Sequence, residues 1–269
     1  MAVSKLARVA RYPRTQIPKF TATEITRANL CAQALWYGIN FDTGNKQLSD
    51  ADLMSFLAKY FYTYQRTKKR ANPDIFEKEI KLLINTCGLA IMYRSLAKMD
   101  IKKGIDAMYN DVYPKYKKSL KNPNRTSTSI EAMDCLWKLS KGFIINPKYN
   151  CLGLSSRIMF FLSPNLRTFN MNREIATRYG LQKNPVVHYK AYFELFNTGL
   201  ITNRAQLTRH KMPPMRGALD MKTWQTAART DWWERRVLDI AVLLRLSGNM
   251  PYPNLRHLIN EQIKEDARS

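Results

Sequence analysis

Apolar residues recur at intervals of three and four along most of the chain, and no stretch alternates apolar and polar residues as a half-buried strand would. The pattern predicts an all-α fold. The first predicted helix covers 24–37, with Ile25, Ala28, Leu35 and Trp36 on its apolar face, and stops at Gly38. Its exit, through Tyr37, Ile39, Asn40 and Phe41, is aromatic and irregular. Ser49 starts a second helix, and Asp52 three residues on completes a capping box. Leu53, Phe56, Leu57, Tyr60 and Phe61 form its apolar face, and the charged run 66–70 closes it. Asn72-Pro73-Asp74 opens a third, with proline in the first turn and an acid near the N-terminus. That helix carries Ile75, Ile80, Leu83 and Ile84 and ends near Cys87-Gly88.

The pattern weakens over 89–125 and resumes at Ser129, which caps a helix over 129–141 with Leu136, Trp137 and Leu139. Asn184-Pro185 starts another, bearing Tyr189, Tyr192, Phe193 and Phe196. Asp231, followed three residues later by Glu234, reads as the capping box of a long helix that begins Trp232-Trp233, is very apolar in its second half and is the predicted centre of the core. Between these lies the stretch 150–180. There Leu152-Gly153-Leu154-Ser155-Ser156-Arg157 reads as a tight turn feeding an apolar helical run. Ser163-Pro164-Asn165 breaks that run, and Asn170 or Asn172 caps a second helix that stops at Gly180. A helix that starts at such a turn points unpaired N–H groups outward with the positive end of its dipole behind them, which suits an anion. The plainer alternative is a helix, a loop and a helix within the core.

Charge sharpens the choice of anion. Lys and Arg number 44 against 21 acids, a net charge of +23 over 269 residues. Such an excess points to a polyanion, nucleic acid first and an anionic membrane surface second. No apolar run is long enough to span a bilayer, and the basic start lacks the apolar core of a signal peptide, so an intracellular protein is expected. Residues 1–22, basic and proline-bearing, read as an extended arm. The rest, 23–269, reads as one two-lobed helical domain with a boundary near the polar loop 121–129. Tyr109, Tyr113 and Tyr116 interleave with lysines, which suits either a nucleic-acid face or a solvated helix with its tyrosines on the core. The cysteines Cys31, Cys87, Cys135 and Cys151 form no CxxC pair, and His188, His210 and His257 show no ligand spacing. Buried small side chains are therefore expected, with no metal and no cofactor.

The order of these features resembles a known family. A Gly-x-x-Ser-Arg turn enters a helix, Phe160-Phe161-Leu162-Ser163-Pro164-Asn165 follows, then a polar cap and Ile175-Ala176, then Tyr189-Lys190-Ala191-Tyr192, and last Trp233-Glu234-Arg235-Arg236-Val237-Leu238-Asp239. In this the chain resembles the bacterial 8-oxoguanine-glycosylase-like branch of the helix-hairpin-helix DNA glycosylases, over about 150–248. The resemblance implies a two-lobed helical bundle with a helix-hairpin-helix element. It implies a monomer that acts on double-stranded DNA in the bacterial cytoplasm, flips a damaged or modified base and breaks its bond to the sugar. Some bacterial relatives look like defence proteins that excise hypermodified bases from phage DNA.

Carried over residue by residue, the resemblance sets Gly153, Ser155, Ser156, Arg157, Arg167 and Arg173 on the DNA and makes Trp36, Tyr37, Asn170, Trp232 and Trp233 candidates for the base pocket. Two positions depart from the family. Arg157 matches its lysine, and an arginine stays protonated and forms no imine, so an active enzyme leaves an abasic site uncut. Asn172, or Asn170 in the other alignment, matches its aspartate, and no Asp lies between Cys151 and Leu219. Glu174, Asp220 or Asp239 then supplies the carboxylate, with Asn172 as cap alone or as cap and site residue. Two other readings stand beside this one: a DNA-binding protein of the same fold without activity, and a helical RNA-binding or membrane-surface protein relying on charge.

Overall fold

The computed structural model describes residues 16–86, 100–115, 117, 129–143, 151–162, 164–165, 167–181, 185–217 and 219–268. For 82–86, 129–133, 173–174 and 185–188 it describes the backbone alone. These residues hold eleven α-helices and no strand, the one extended pairing being an isolated antiparallel bridge between Ile39 and Lys46. No helix among them is long and apolar enough to cross a membrane.

Helix α1 (Ala22–Trp36) opens with a capping box between Thr21 and Glu24 and buries Ile25, Ala28, Leu35 and Trp36. Helix α2 (Asp50–Thr67) has the expected Ser49–Asp52 box: the Asp52 amide donates to Ser49 Oγ, and Asp52 accepts from the Ser49 amide. Helix α3 (Pro73–Thr86) turns Phe76 and Ile80 to the core, whereas Ile75, expected there, is 52% exposed. Helix α4 (Ile101–Ala107) continues as a π-helical turn over Met108–Val112. Tyr109 and Tyr113 are buried against Tyr64 and Phe61, so they lie on the core and present no stacking face; Tyr116 is outside the described residues. Helix α5 (Ser129–Gly142) packs against α4. The loop 121–129, apart from the backbone of Ser129, is also outside the described residues.

Helix α6 (Leu152–Leu162) is buried at all but one of its positions. Helix α7 (Arg173–Arg178) is one short piece, and α8 (Pro185–Leu207) is the longest helix. Helices α9 (Met221–Arg229), α10 (Trp232–Ser247) and α11 (Leu255–Asp266) complete the chain. The packing falls into two sets: α2 on α6, α6 on α5, α5 on α4 and α4 on α3 form one, while α1, α7, α8 and α9 surround α10 in the other. Phe160 and Phe161 of α6 meet Trp232 of α10 at ring distances of 5.2 and 6.2 Å and join the sets into one core. Helix α10 has the central place its sequence predicted: twelve of its sixteen residues are buried, and the buried Arg235, Arg236 and Asp239 among them are paired.

Residues 16–21, read from the sequence as the end of an extended arm, are docked. Ile17 and Phe20 are 2% exposed, the Phe20 amide donates to Asn203 Oδ1 at 2.7 Å, and Gly199 lies so close to Ile17 that a Cβ there would meet it at 2.8 Å. Residues 1–15 are outside the described residues.

Candidate functional site

Four segments distant in sequence meet at one cleft of about 230 Å³. Arg157 projects from the middle of α6, Asn170 and Asn172 from the extended segment 167–172, Arg236 and Asp239 from α10, and Asp50 from the first turn of α2. The segment 167–172 is held by side chains of two helices. Tyr189 and Tyr192, three residues apart on one face of α8, each bridge its backbone. The Tyr189 hydroxyl donates to Phe169 O and accepts from Phe169 N, at 3.3 and 3.4 Å; that of Tyr192 donates to Asn170 O and accepts from Asn172 N, at 2.9 and 3.2 Å. Ser156 Oγ of α6 accepts from the Met171 amide at 3.0 Å.

The polar floor is one network. Arg157 Nε donates to Asn170 Oδ1 at 2.9 Å, and Asn170 Nδ2 donates to Asp239 Oδ2 at 3.3 Å. Arg236 Nη1 donates to the same oxygen at 3.3 Å, while its Nε and Nη2 hold Asp50 in a two-pronged pair at 2.7 and 3.0 Å. All five side chains are buried. Two guanidiniums, of Arg157 and Arg236, face two carboxyl groups, of Asp50 and Asp239. Burial raises the pKa of the Asp239 carboxyl, against the pull of Arg236 and Arg157. Burial also draws Arg157 down to about 10, with Asp239 opposing. That value still leaves a protonated guanidinium at neutral pH.

The rim is more open. Asn172, Asn40 and Gln47 are half-buried, and Asp42 is exposed. Asn40 Oδ1 accepts from the amides of Asp42 and Thr43, both at 3.0 Å, and so shapes the turn that carries Asp42 to the cleft. Although its side chain is exposed, neighbouring groups on the cleft side cost the Asp42 carboxyl some hydration and raise it above its ordinary value, against a hydrogen bond with Asn249. The apolar walls include Phe161 and the half-buried Phe41.

The structure thus brings together Arg157, Asn170, Asn172 and Asp239, and leaves the remaining candidates elsewhere. Asp220 caps α9, its carboxylate accepting from the Thr223 amide at 3.0 Å and from Tyr62 at 3.3 Å. Trp36, Trp232 and Trp233 pack against one another in the core at ring distances of 6.1–6.4 Å. Their indole N–H groups donate to Pro214 O, Phe160 O and Asn29 Oδ1, so neither faces nor donors are left for a base. Tyr37 is buried beneath the Arg216 guanidinium.

Leu152 to Arg157 form the first turns of α6 and no separate turn. Ser155 and Ser156 are fully buried, Ser156 donating back to Gly153 O, so neither side chain can meet a phosphate; only Gly153 is partly open. Arg167 is engaged by Asp231 at 3.0 Å, and the side chains of Arg173 and Glu174 are outside the described residues. Asn172, the second of the two proposed caps, accepts from the Ile175 amide at 3.4 Å at the start of α7.

Asp42 and Asp50 were not singled out by sequence. The turn-forming Asn40-Phe41-Asp42-Thr43 after an aromatic helix end was a local signal for the first. Asp50 looks like any acid in a helix first turn, and only its partner 186 residues away marks it. Cys31, Cys135 and Cys151 are buried, and burial pushes their thiols up to about 12, 11 and 11; Cys87 is outside the described residues. No cluster of metal-ligating side chains occurs among the described residues. No protein-family model, curated protein or solved structure matches the chain.

Proposed function

We propose that the protein is a monofunctional DNA glycosylase whose cleft receives one nucleobase flipped from a duplex and whose rim hydrolyses the base–sugar bond. The observation that supports this reading is the meeting of Arg157, Asn170, Asn172 and Asp239 at a polar-floored cleft large enough for a single heterocycle. A base lying against Phe161 with its edge on the floor leaves its sugar at the rim, beside Asn172 and Asp42. Departure of the base with the bonding electrons leaves positive charge on the sugar, which the Asp42 carboxylate opposes. The Asn172 amide orients the water that adds to the anomeric carbon, and Asp42 takes the proton released. Arg157 cannot act as an amine nucleophile, so the product is an abasic site with the strand intact.

Duplexes bearing modified bases, and phage DNA, incubated with the protein are expected to yield free base and alkali-labile abasic sites. Asp42→Asn is expected to slow release by ~100-fold with duplex binding retained. Tight binding with no release from any substrate would overturn the enzyme. It would leave the second reading, an inactive DNA-binding protein, which draws support from the engagement of Asp239 by Asn170 and Arg236 in the floor.

A further inference from the structure

Asp239 carries a hydrogen-bond acceptor that the fold does not use. Its Oδ2 receives Asn170 and Arg236, whereas its Oδ1 has no partner, although the side chain is only 2% exposed. A buried carboxylate oxygen without a donor bears its full loss of hydration, and native structures rarely keep one without a reason. Asn170 Nδ2 and Arg236 Nη1 donate to Oδ2, Arg236 Nε and Nη2 to Asp50, and Arg157 Nε to Asn170, and no donor of the network bonds Oδ1. Asp239 lines the cleft, and Oδ1 itself has almost no accessible surface, so a donor from a molecule bound there reaches it with a small rotation of the side chain.

The chemistry of DNA narrows that donor. Its phosphates are anionic acceptors that a carboxylate repels, and its chain sugars carry no free hydroxyl within a strand. The base alone offers N–H groups. We infer that Asp239 Oδ1 accepts an N–H from the pairing edge of the bound base, so that the cleft selects a nucleobase with a donor there and rejects the same base alkylated at that nitrogen. This rests on reading the cleft as a base pocket. Asp239 then acts as a specificity residue at the floor, distinct in task from the rim groups that face the sugar.

Binding of four deoxynucleosides to the full chain, each compared with its twin alkylated at the pairing-edge nitrogen, tests this apart from catalysis. The pairs are thymidine with N3-methylthymidine, deoxycytidine with its N4,N4-dimethyl form, deoxyadenosine with its N6,N6-dimethyl form and deoxyguanosine with its N1,N2,N2-trimethyl form. At least one parent is expected to bind about tenfold or more tightly than its twin. Asp239→Asn, confirmed folded by circular dichroism, is expected to shrink that ratio; the wild-type comparison stands even where the variant fails to fold. Equal binding within every pair, as when water alone satisfies Oδ1, or no binding by any parent at millimolar concentration, overturns the inference. Donor-dependent binding without base release from any duplex keeps it and removes the catalytic reading. Release that proceeds equally fast from alkylated bases removes it and keeps the enzyme.

Discussion

The buried ion pairs show how differently the same residue types behave at single positions. Asp231 was expected to cap α10, but it makes no side-chain cap bond and instead pairs with Arg235 at 2.8 Å and Arg167 at 3.0 Å. A charge-assisted bond to a buried guanidinium outweighs one to a first-turn amide that water can still reach. Burial works to raise the Asp231 carboxyl, but Arg235 and Arg167 outweigh it and hold it below the ordinary 3.8. A depressed carboxyl stabilises the fold fully above the unfolded-state value, and that stability is lost as pH falls below 3.8 toward the folded-state value. Asp231→Asn is therefore expected to cost about 3 kcal/mol at pH 7 and to flatten the acid limb of stability below about pH 4, read by urea melts across pH. Asn172 separates cap from chemistry. Asn172→Ala loses the α7 cap, about 1 kcal/mol, whereas Asn172→Asp keeps it and adds a negative charge at the rim. On the glycosylase reading Asn172→Asp releases base at least as fast as the wild type; a large loss of rate with the fold intact would count against Asn172 at the sugar.

Helices were legible wherever period, cap and stop agreed. Helices α1, α2 and α3 lie within a few residues of their predicted bounds, and α8 and α10 begin where predicted, because start or stop signals flank sustained apolar faces there. The beginning of α6 was misread, since glycine and serine favour turns in isolation but are tolerated in a helix that the core surrounds. Gly153 has no positive φ, and a Cβ there would meet nothing nearer than Met171 O at 3.8 Å. Gly153→Ala should thus stabilise α6 by about 0.5–1 kcal/mol in thermal melts. If this open spot admits a phosphate, the same variant binds duplex more weakly; unchanged duplex affinity would remove Gly153 from the contact surface. Gly248 is the opposite case: it ends α10 at φ +69° with open space around it. Gly248→Ala is expected to cost about 1 kcal/mol through backbone strain alone, with Gly248→Asn milder.

At the scale of the molecule, net charge and cleft make separate statements. A charge of +23 predicts binding to polyanions that weakens steeply with salt, whichever surface makes the contacts. Six phosphate contacts would lose on the order of 10³ in affinity between ~50 and ~200 mM salt. Competition among duplex DNA, RNA and anionic vesicles across that range is expected to favour the duplex; preference for vesicles would remove both DNA readings. By itself the sequence determined the helical class, the bounds of α1, α2, α3 and α5, the identity of the central helix and the excess of positive charge. These follow from residues within a few positions of one another or from simple counts. Only the tertiary structure decided that the tryptophans fill the core, that Asp220 is a cap, and that Asp50, Arg157, Asn170, Arg236 and Asp239 share one network. The reason is distance along the chain: Asn170 meets a partner 69 residues away and Asp50 one 186 residues away. No local pattern encodes which buried charges will neutralise one another.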